Sequence, residues 1–405
     1  MYQFSEQSQA FQTQLLQFMD QYIYPNETTF EHQLATADNR FAPVPIVEEL
    51  KQKAKEQGLW NLFVPPSHGE YTDFGGLSNF DYAPLAEMMG RVAWSAEVFN
   101  CNAPDTGNME VFMKYGTKTQ RDRWLTPLLA GEIRSAYAMT EPQVASSDAT
   151  NVELSIEVDG DEWVLNGRKW FITGAMYEKT EIFIVMGKSD PNNPSRHLQQ
   201  SQVLVPKGTP GLHIIRPLTT LGYDDAPHGH AELRFENCRV PKDNILLGEG
   251  RGFEISQGRL GPGRMHHCMR LIGAAQRALE ITCQRVTQRK TFGKQLAEHQ
   301  SVREDIADCF IDIETSRLLV LKACHKMDQV GAKDARDMIA AAKVGVPRTI
   351  QNVLDKCMQM HGAGGLTADY FLADAFNYAR WCRQADGPDQ VHQMALGKQL
   401  IKQWG

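Results

Sequence analysis

The period of the hydrophobic pattern changes twice along this chain, and that switch restricts the folds open to it. Over residues 1–134 apolar residues recur at three- and four-residue steps, as in Phe11, Leu15, Phe18 and Met19, and the spacing predicts helices. The runs 46–59 and 120–130 behave alike, with Pro65-Pro66-Ser67-His68-Gly69 as a loop between them. Over 135–248 the period shortens to two. Val152 to Val158 alternates strictly, Asp159-Gly160 is a turn signal before Trp163-Val164-Leu165, and 182–186, 203–205 and 232–235 read as further strands. Over 249–405 the helical period returns in long runs, 264–290, 301–331, 334–360 and 388–403, whose short connections suit an antiparallel four-helix bundle. The expected fold is α+β and multidomain: an N-terminal helical domain (1–134), a middle β-barrel or sandwich domain (135–248) and a C-terminal four-helix-bundle domain (249–405).

A length of 405 residues accommodates this division. The net charge of −7 argues against a nucleic-acid-binding face but leaves room for a small anion held by a few arginines. The eight cysteines contain no C-x-x-C, and several fall in helix-patterned runs, as expected of a reduced, cytoplasmic protein. No stretch approaches the ~20 apolar residues of a membrane span, and Met1 to Glu6 lacks a signal-peptide pattern. The histidine pairs His228/His230, His266/His267 and His361/His392 have no acidic or thiol partners at metal spacings, so no metal site is expected. Gly248-Glu249-Gly250-Arg251-Gly252 opens no βαβ unit and is not read as a dinucleotide loop.

Five segments could carry chemistry. Thr140 to Asp148 is a strand end breaking into a small-residue loop, whose hydroxyls and N–H groups can edge a flat heteroaromatic. Lys169-Trp170-Phe171-Ile172-Thr173-Gly174 puts aromatics in a strand, which alone suits a core equally well. Arg289-Lys290-Thr291-Phe292-Gly293 is either a basic helix terminus closed by glycine or a phosphate and ring contact. Gln359 to Gly365 has small residues at a helix end, where a backbone can approach phosphate. Ala385-Asp386-Gly387-Pro388 is an acid at a helix stop.

Together, and across nearly the whole chain, these segments resemble the acyl-CoA dehydrogenases. The resemblance implies FAD, with Tyr137, Met139, Thr140, Ser147, Phe171, Thr173 and Gly387 among its contacts. It further implies that Arg289, Phe292, Gln300, Gln359, Gly362 and Ala363 reach the FAD of a neighbouring subunit. Arg264 and Ser147 would meet the acyl-CoA, and Asp386 would be the base that removes its α-proton. Some family members carry the base just before the arginine matched by Arg264, but here Gly261, Pro262 and Gly263 stand there. The chain departs from the family pattern at Asp386 (aspartate for glutamate), at Pro388 (for threonine), at Ala363 (for glycine), and in a 140–148 loop one residue longer. Val144 to Asn151 and Ala385 to Pro388 resemble the subgroup fused in vertebrates to kinase-like domains, which favours long or 4-hydroxylated acyl-CoAs. The implied function is α,β-dehydrogenation of an acyl-CoA to the trans-2-enoyl-CoA in fatty acid β-oxidation. The implied partners are electron-transfer flavoprotein and further copies of the chain, as a homodimer or homotetramer. A flavin-dependent monooxygenase, or a non-catalytic or DNA-associated flavoprotein, would share the fold; the negative charge ranks the DNA-associated form low.

Overall fold

The computed structural model describes residues 3–405. Helices come first: α1 (Glu6–Phe18), α2 (Glu27–Thr36), α3 (Pro45–Glu56), α4 (Asn79–Gly90), α5 (Ser95–Val98), α6 (Asp105–Tyr115), α7 (Lys118–Gln120) and α8 (Thr126–Ala130). The strands are β1 (Arg134–Ala138), β2 (Ser155–Asp159), β3 (Glu162–Thr173), β4 (Thr180–Lys188), β5 (Gln200–Pro206), β6 (Leu212–Leu218) and β7 (His230–Pro241). After α9 (Gly252–Gln288) come the short strands β8 (Lys290–Thr291) and β9 (Lys294–Gln295), then α10 (Gln300–Asp334), α11 (Arg336–His361), α12 (Leu372–Cys382) and α13 (Asp389–Trp404). The order helical, β, helical is the one expected. Among the described residues no helix is long and apolar enough to cross a membrane, and none of the eight cysteines is joined in a disulfide.

One compact unit comprises Pro25–Gly76 and Glu97–Leu260. Its strands form a single seven-stranded sheet in the order β1-β4-β2-β3-β7-β6, with β5 paired to β4. β4 and β5 are buried along nearly their whole lengths, and the apolar runs 182–186 and 203–205 within them suit strands covered on both faces. β1 lies parallel to β4, Ala136 opposite Phe183 and Ala138 opposite Val185. Ala136, Ala138, Leu154, Phe183, Val203, Leu233 and Phe235 belong to the core built on this sheet.

The other unit comprises the chain up to Tyr24, Leu77–Ala96 and Gly261–Gly405. α11 packs against α10, α12 and α13, so α12 joins the expected four long helices. α4 and α9 meet backbone to backbone. A Cβ on Gly273 would lie 1.9 Å from Glu87 O, and one on Gly90 would lie 2.3 Å from Arg270 Cα, so only glycine permits this approach. Asp328 of α10 caps α4, accepting the N–H groups of Asn79 (2.9 Å) and Phe80 (2.8 Å).

Candidate active site

In the sheet unit, the chain beyond β1 turns onto β3. The N–H of Trp170 donates to Thr140 O (3.0 Å), and the Thr140 hydroxyl donates to Trp170 O. This pairing takes Trp170 and Phe171 out of the β3–β7 ladder, whose register shifts between Lys169 and Ile172. Phe171 sits at φ 50°, a left-handed conformation that a bulge imposes on a non-glycine residue. Its ring is 41% exposed and stands edge-on to Trp170 at 5.0 Å. Two residues on, the Thr173 hydroxyl lies 3.0 Å from His230 Nδ1.

Beneath this edge, Glu141 and Lys169 form a fully buried ion pair at 2.8 Å. Lys169 also donates to Met139 O (2.8 Å), and the Glu141 carboxylate accepts the N–H groups of Glu153 (2.8 Å) and Leu154 (2.9 Å). The loop after Thr140 is thereby anchored at both ends. Ser146 accepts the Glu141 N–H (2.8 Å), while Ser147 is exposed. The side chain of Tyr137 serves packing: its hydroxyl meets Ser256 Oγ and Gln202 Nε2, each at 2.7 Å, and the Arg259 guanidinium covers its ring at 4.2 Å.

In the helical unit, α12 ends in a turn that carries Asp386. The N–H groups of Gln384 (2.8 Å) and Ala385 (3.0 Å) close onto Trp381 O. Asp386 (φ 53°) and Gly387 (φ 102°) then reverse the chain into α13. Several cations and donors pin this reversal. Arg264 Nε donates to Asp386 O (3.1 Å), and His392 Nε2 lies 3.2 Å from the same oxygen. Lys343, 2% exposed on α11, donates to Cys382 O and Gly387 O. Asp389 accepts from Arg348 (2.8 Å) and Arg383 (2.9 Å). Burial, with Arg264 and Lys343 nearby, pushes the His392 imidazole down to about 4, so it is neutral and can donate to the Asp386 carbonyl. Burial likewise pushes the Cys268 and Cys382 thiols up to about 12, and neither competes as a thiolate. The Asp386 carboxylate is 20% exposed, with Oδ2 3.7 Å from His267 Nε2.

The remaining predicted contacts lie elsewhere on this unit. α9 stops at Gln288, and β8 and β9 make a hairpin rather than a glycine-closed helix end. Phe292 (φ 49°) and Gly293 (φ 81°) form its primed-type turn, which leaves the Phe292 ring 95% exposed. Arg289 precedes the hairpin, and Gln300 opens α10 with its amide on Glu304 (2.8 Å). Gln359, Gly362 and Ala363 are exposed where α11 ends. Arg285 donates to His361 O (3.5 Å) and Tyr370 OH (3.4 Å), tying the end of α9 to the end of α11. Arg285 follows Arg264 by some six turns of α9, about 30 Å along its axis. The structure therefore groups Arg264 with Asp386 and Gly387, and groups Arg289, Phe292, Gln359, Gly362 and Ala363 at a separate end of the same unit.

Sequence profiles of the acyl-CoA dehydrogenase N-terminal, middle and C-terminal domains match residues 5–132, 136–238 and 250–401. The chain belongs to the acyl-CoA dehydrogenase family. It is 52% identical to acyl-CoA dehydrogenase family member 10 of Mus musculus, over 96% of this chain and 36% of that protein. It spans about half or less of the length of the curated relatives it matches at 49–53% identity (49%, 36% and 50%). A solved structure from Mycobacterium abscessus, assigned as an acyl-CoA dehydrogenase, superposes with TM-score 0.95 at 46% identity over 100% of both chains. The fold also matches PigA solved with FAD and proline, at TM-score 0.84 and 23% identity over 99% of both chains.

PigA, which shares this fold, is solved in complex with FAD. The residues present fit such a group: an exposed aromatic at a bulge, flanked by the threonine hydroxyls of 140 and 173, is a surface for a flat, hydrogen-bonding ring system. Among the described residues no three His, Cys, Asp or Glu side chains gather as metal ligands. Sequence reasoning weighed His267 and His392 only as metal ligands and passed over Tyr378 and Lys343. One signal was available for His267, which follows Arg264 by three residues and so shares its helix face. A second was Lys343, a lone cation within the apolar stretch Ala340 to Val346.

Proposed function

We propose that this chain is an FAD-dependent acyl-CoA dehydrogenase that converts an acyl-CoA thioester to the trans-2-enoyl-CoA. The observation that carries the reading is Asp386. It is a partly open carboxylate on a turn held through its own backbone by Arg264 and His392, and no carboxylate stands at 261–263 to replace it. The thioester carbonyl acidifies the α-carbon, and Asp386 takes that proton while the double bond forms. Enclosure by apolar substrate raises a carboxylate toward the working pH range and improves it as a base. Bound FAD supplies the acceptor, at N5, for the hydride that leaves the β-carbon. The backbone and hydroxyls of Met139, Thr140, Ser147 and Thr173, the Phe171 ring and Gly387 line the cofactor, and Arg264 meets the substrate near the base. Electrons then pass to an electron-transfer flavoprotein.

Arg289, Phe292, Gln300, Gln359, Gly362 and Ala363 serve the FAD of a second copy of the chain. Support comes from the Phe292 ring, which protrudes into solvent, and from the ~30 Å of helix between Arg264 and Arg285. The working protein is accordingly a homodimer or homotetramer.

Anaerobic titration of the flavin-loaded protein with butyryl-, octanoyl- and palmitoyl-CoA tests the reading. Flavin absorbance should bleach, with one enoyl-CoA formed per flavin reduced. Oxygen consumption without enoyl-CoA would point to a monooxygenase instead.

A further inference from the structure

Behind Asp386 stands a relay of side chains with no role in the reaction described so far. His267 of α9 presents Nε2 to Asp386 Oδ2 at 3.7 Å, and its Nδ1 lies 2.8 Å from the Tyr378 hydroxyl of α12. Tyr378 is in turn hydrogen-bonded to Arg270, a guanidinium only 6% exposed. Arginine has donors and no acceptor, so the bond from Arg270 occupies a lone pair of the phenol oxygen. The phenol O–H can then be donated to His267 Nδ1 or to Cys382, and the relay takes the first arrangement, in which Nδ1 accepts. A neutral imidazole that accepts at Nδ1 carries its proton at Nε2, the nitrogen facing Asp386. Burial raises the Tyr378 phenol well above its ordinary range, so its proton stays in place at working pH. The imidazole orientation is also set by packing, edge-on to Trp381 at 5.8 Å.

We propose that His267 is a positioning residue for the base: its Nε2–H orients the Asp386 carboxylate and favours its ionised form, with Tyr378 and Arg270 fixing the tautomer. The proposal rests on the reading of Asp386 as the base. At 3.7 Å the contact is longer than a closed hydrogen bond, and such contacts tighten when substrate excludes water. The relay also suits an aspartate. Its carboxylate stops ~1.5 Å short of where a glutamate would reach, so a small error in its direction displaces a larger share of its reach. The other ionisable groups around the pair are Arg264, Cys268 and Arg270 from α9, Lys343 from α11, Tyr378 and Cys382 from α12, and His392 from α13. Burial keeps both thiols protonated and His392 neutral near pH 7; pushed down to about 4, His392 gains its proton only in the acidic range.

Two measurements on the flavin-loaded protein test this. In ¹⁵N-histidine NMR, with the His267 signal assigned by its loss in His267→Gln, the Nε2–H tautomer is expected near pH 7, shifting in Asp386→Asn. An Nδ1–H tautomer overturns the proposal. In anaerobic stopped-flow, with whichever of butyryl-, octanoyl- and palmitoyl-CoA bleaches wild-type flavin fastest, His267→Phe keeps ring volume but loses the donor. It should slow bleaching about 10- to 100-fold and move the acidic limb of the pH–rate profile to higher pH, with FAD content unchanged. His267→Gln, whose amide can reach the carboxylate, should recover most of the rate. Tyr378→Phe should shift the limb in the same direction, and the double variant should be no slower than His267→Phe alone. Wild-type rate and limb in His267→Phe, or equal losses in the Gln and Phe variants, overturn it. If Asp386→Asn itself bleaches normally, the base assignment fails and this proposal with it. If Asp386→Asn is inert while His267→Phe is normal, the role of His267 alone is lost.

Discussion

Asp386 and Gly387 both lie in the left-handed region, but they tolerate substitution differently. Aspartate and asparagine visit φ near 53° readily, so Asp386→Asn alters charge without straining the turn. Gly387 at φ 102° has no such latitude, and a Cβ there would lie 2.8 Å from His392 Nε2. Gly387→Ala should destabilise the protein by about 1–3 kcal/mol in thermal unfolding and slow flavin reduction by misdirecting Asp386. A second residue-scale case is Glu97, 3% exposed in the sheet unit. Burial alone would raise its carboxyl, but Arg134 and Lys51 (2.6 Å) hold it well below the usual range. Its depressed folded pKa contributes stability that is complete above the unfolded value of about 4.5 and is lost as pH falls through the folded value. Glu97→Gln should therefore cost about 3–5 kcal/mol in urea unfolding at pH 7. The gap to wild type should shrink below about pH 4.5; a constant gap would mean that the charge is not what matters.

At the scale of elements, the cofactor edge depends on the buried Glu141–Lys169 pair. Glu141→Gln leaves Lys169 without its counter-charge and should cost about 3–5 kcal/mol while lowering FAD content; full flavin loading at wild-type stability would show that the loop holds without the pair. The sequence pattern located β2, β3, β4, β5 and β7 because each carries alternating or continuous apolar residues. It missed β6, whose residues from His213 to Pro217 are exposed and include a proline, as suits an edge strand without a buried face. Of β1 it read only the end, before Thr140, because the small residues Ser135, Ala136 and Ala138 give little signal although the strand is buried against β4. The helix-end reading of Arg289 to Gly293 became a hairpin, because Phe292 adopts a positive φ that helix patterning does not register. The Phe171 bulge is similar: a pairing between Thr140 and Trp170, residues distant in sequence, decides it. The relay behind Asp386 could not be read in advance, since Tyr378 and His267 meet only once α12, absent from the expected bundle, packs beside α9.

For the whole molecule, the three-part order of the fold was legible from periodicity alone, and the family assignment rests on matches spanning 5–401. Assembly carries a separate prediction. If Arg289 and Phe292 act on a neighbour's FAD, a monomer should hold flavin poorly, and Phe292→Ala should lower flavin content without unfolding the chain, since the ring is 95% exposed. Light scattering with flavin absorbance on the same sample checks this; a flavin-loaded monomer would overturn it. The most direct test of the central claim, that Asp386 is the base of an acyl-CoA dehydrogenase, is the anaerobic acyl-CoA titration of Asp386→Asn beside wild type. Wild-type flavin should bleach, and the variant should keep its FAD and stay oxidised. Normal bleaching in the variant would contradict the assignment and place the base elsewhere.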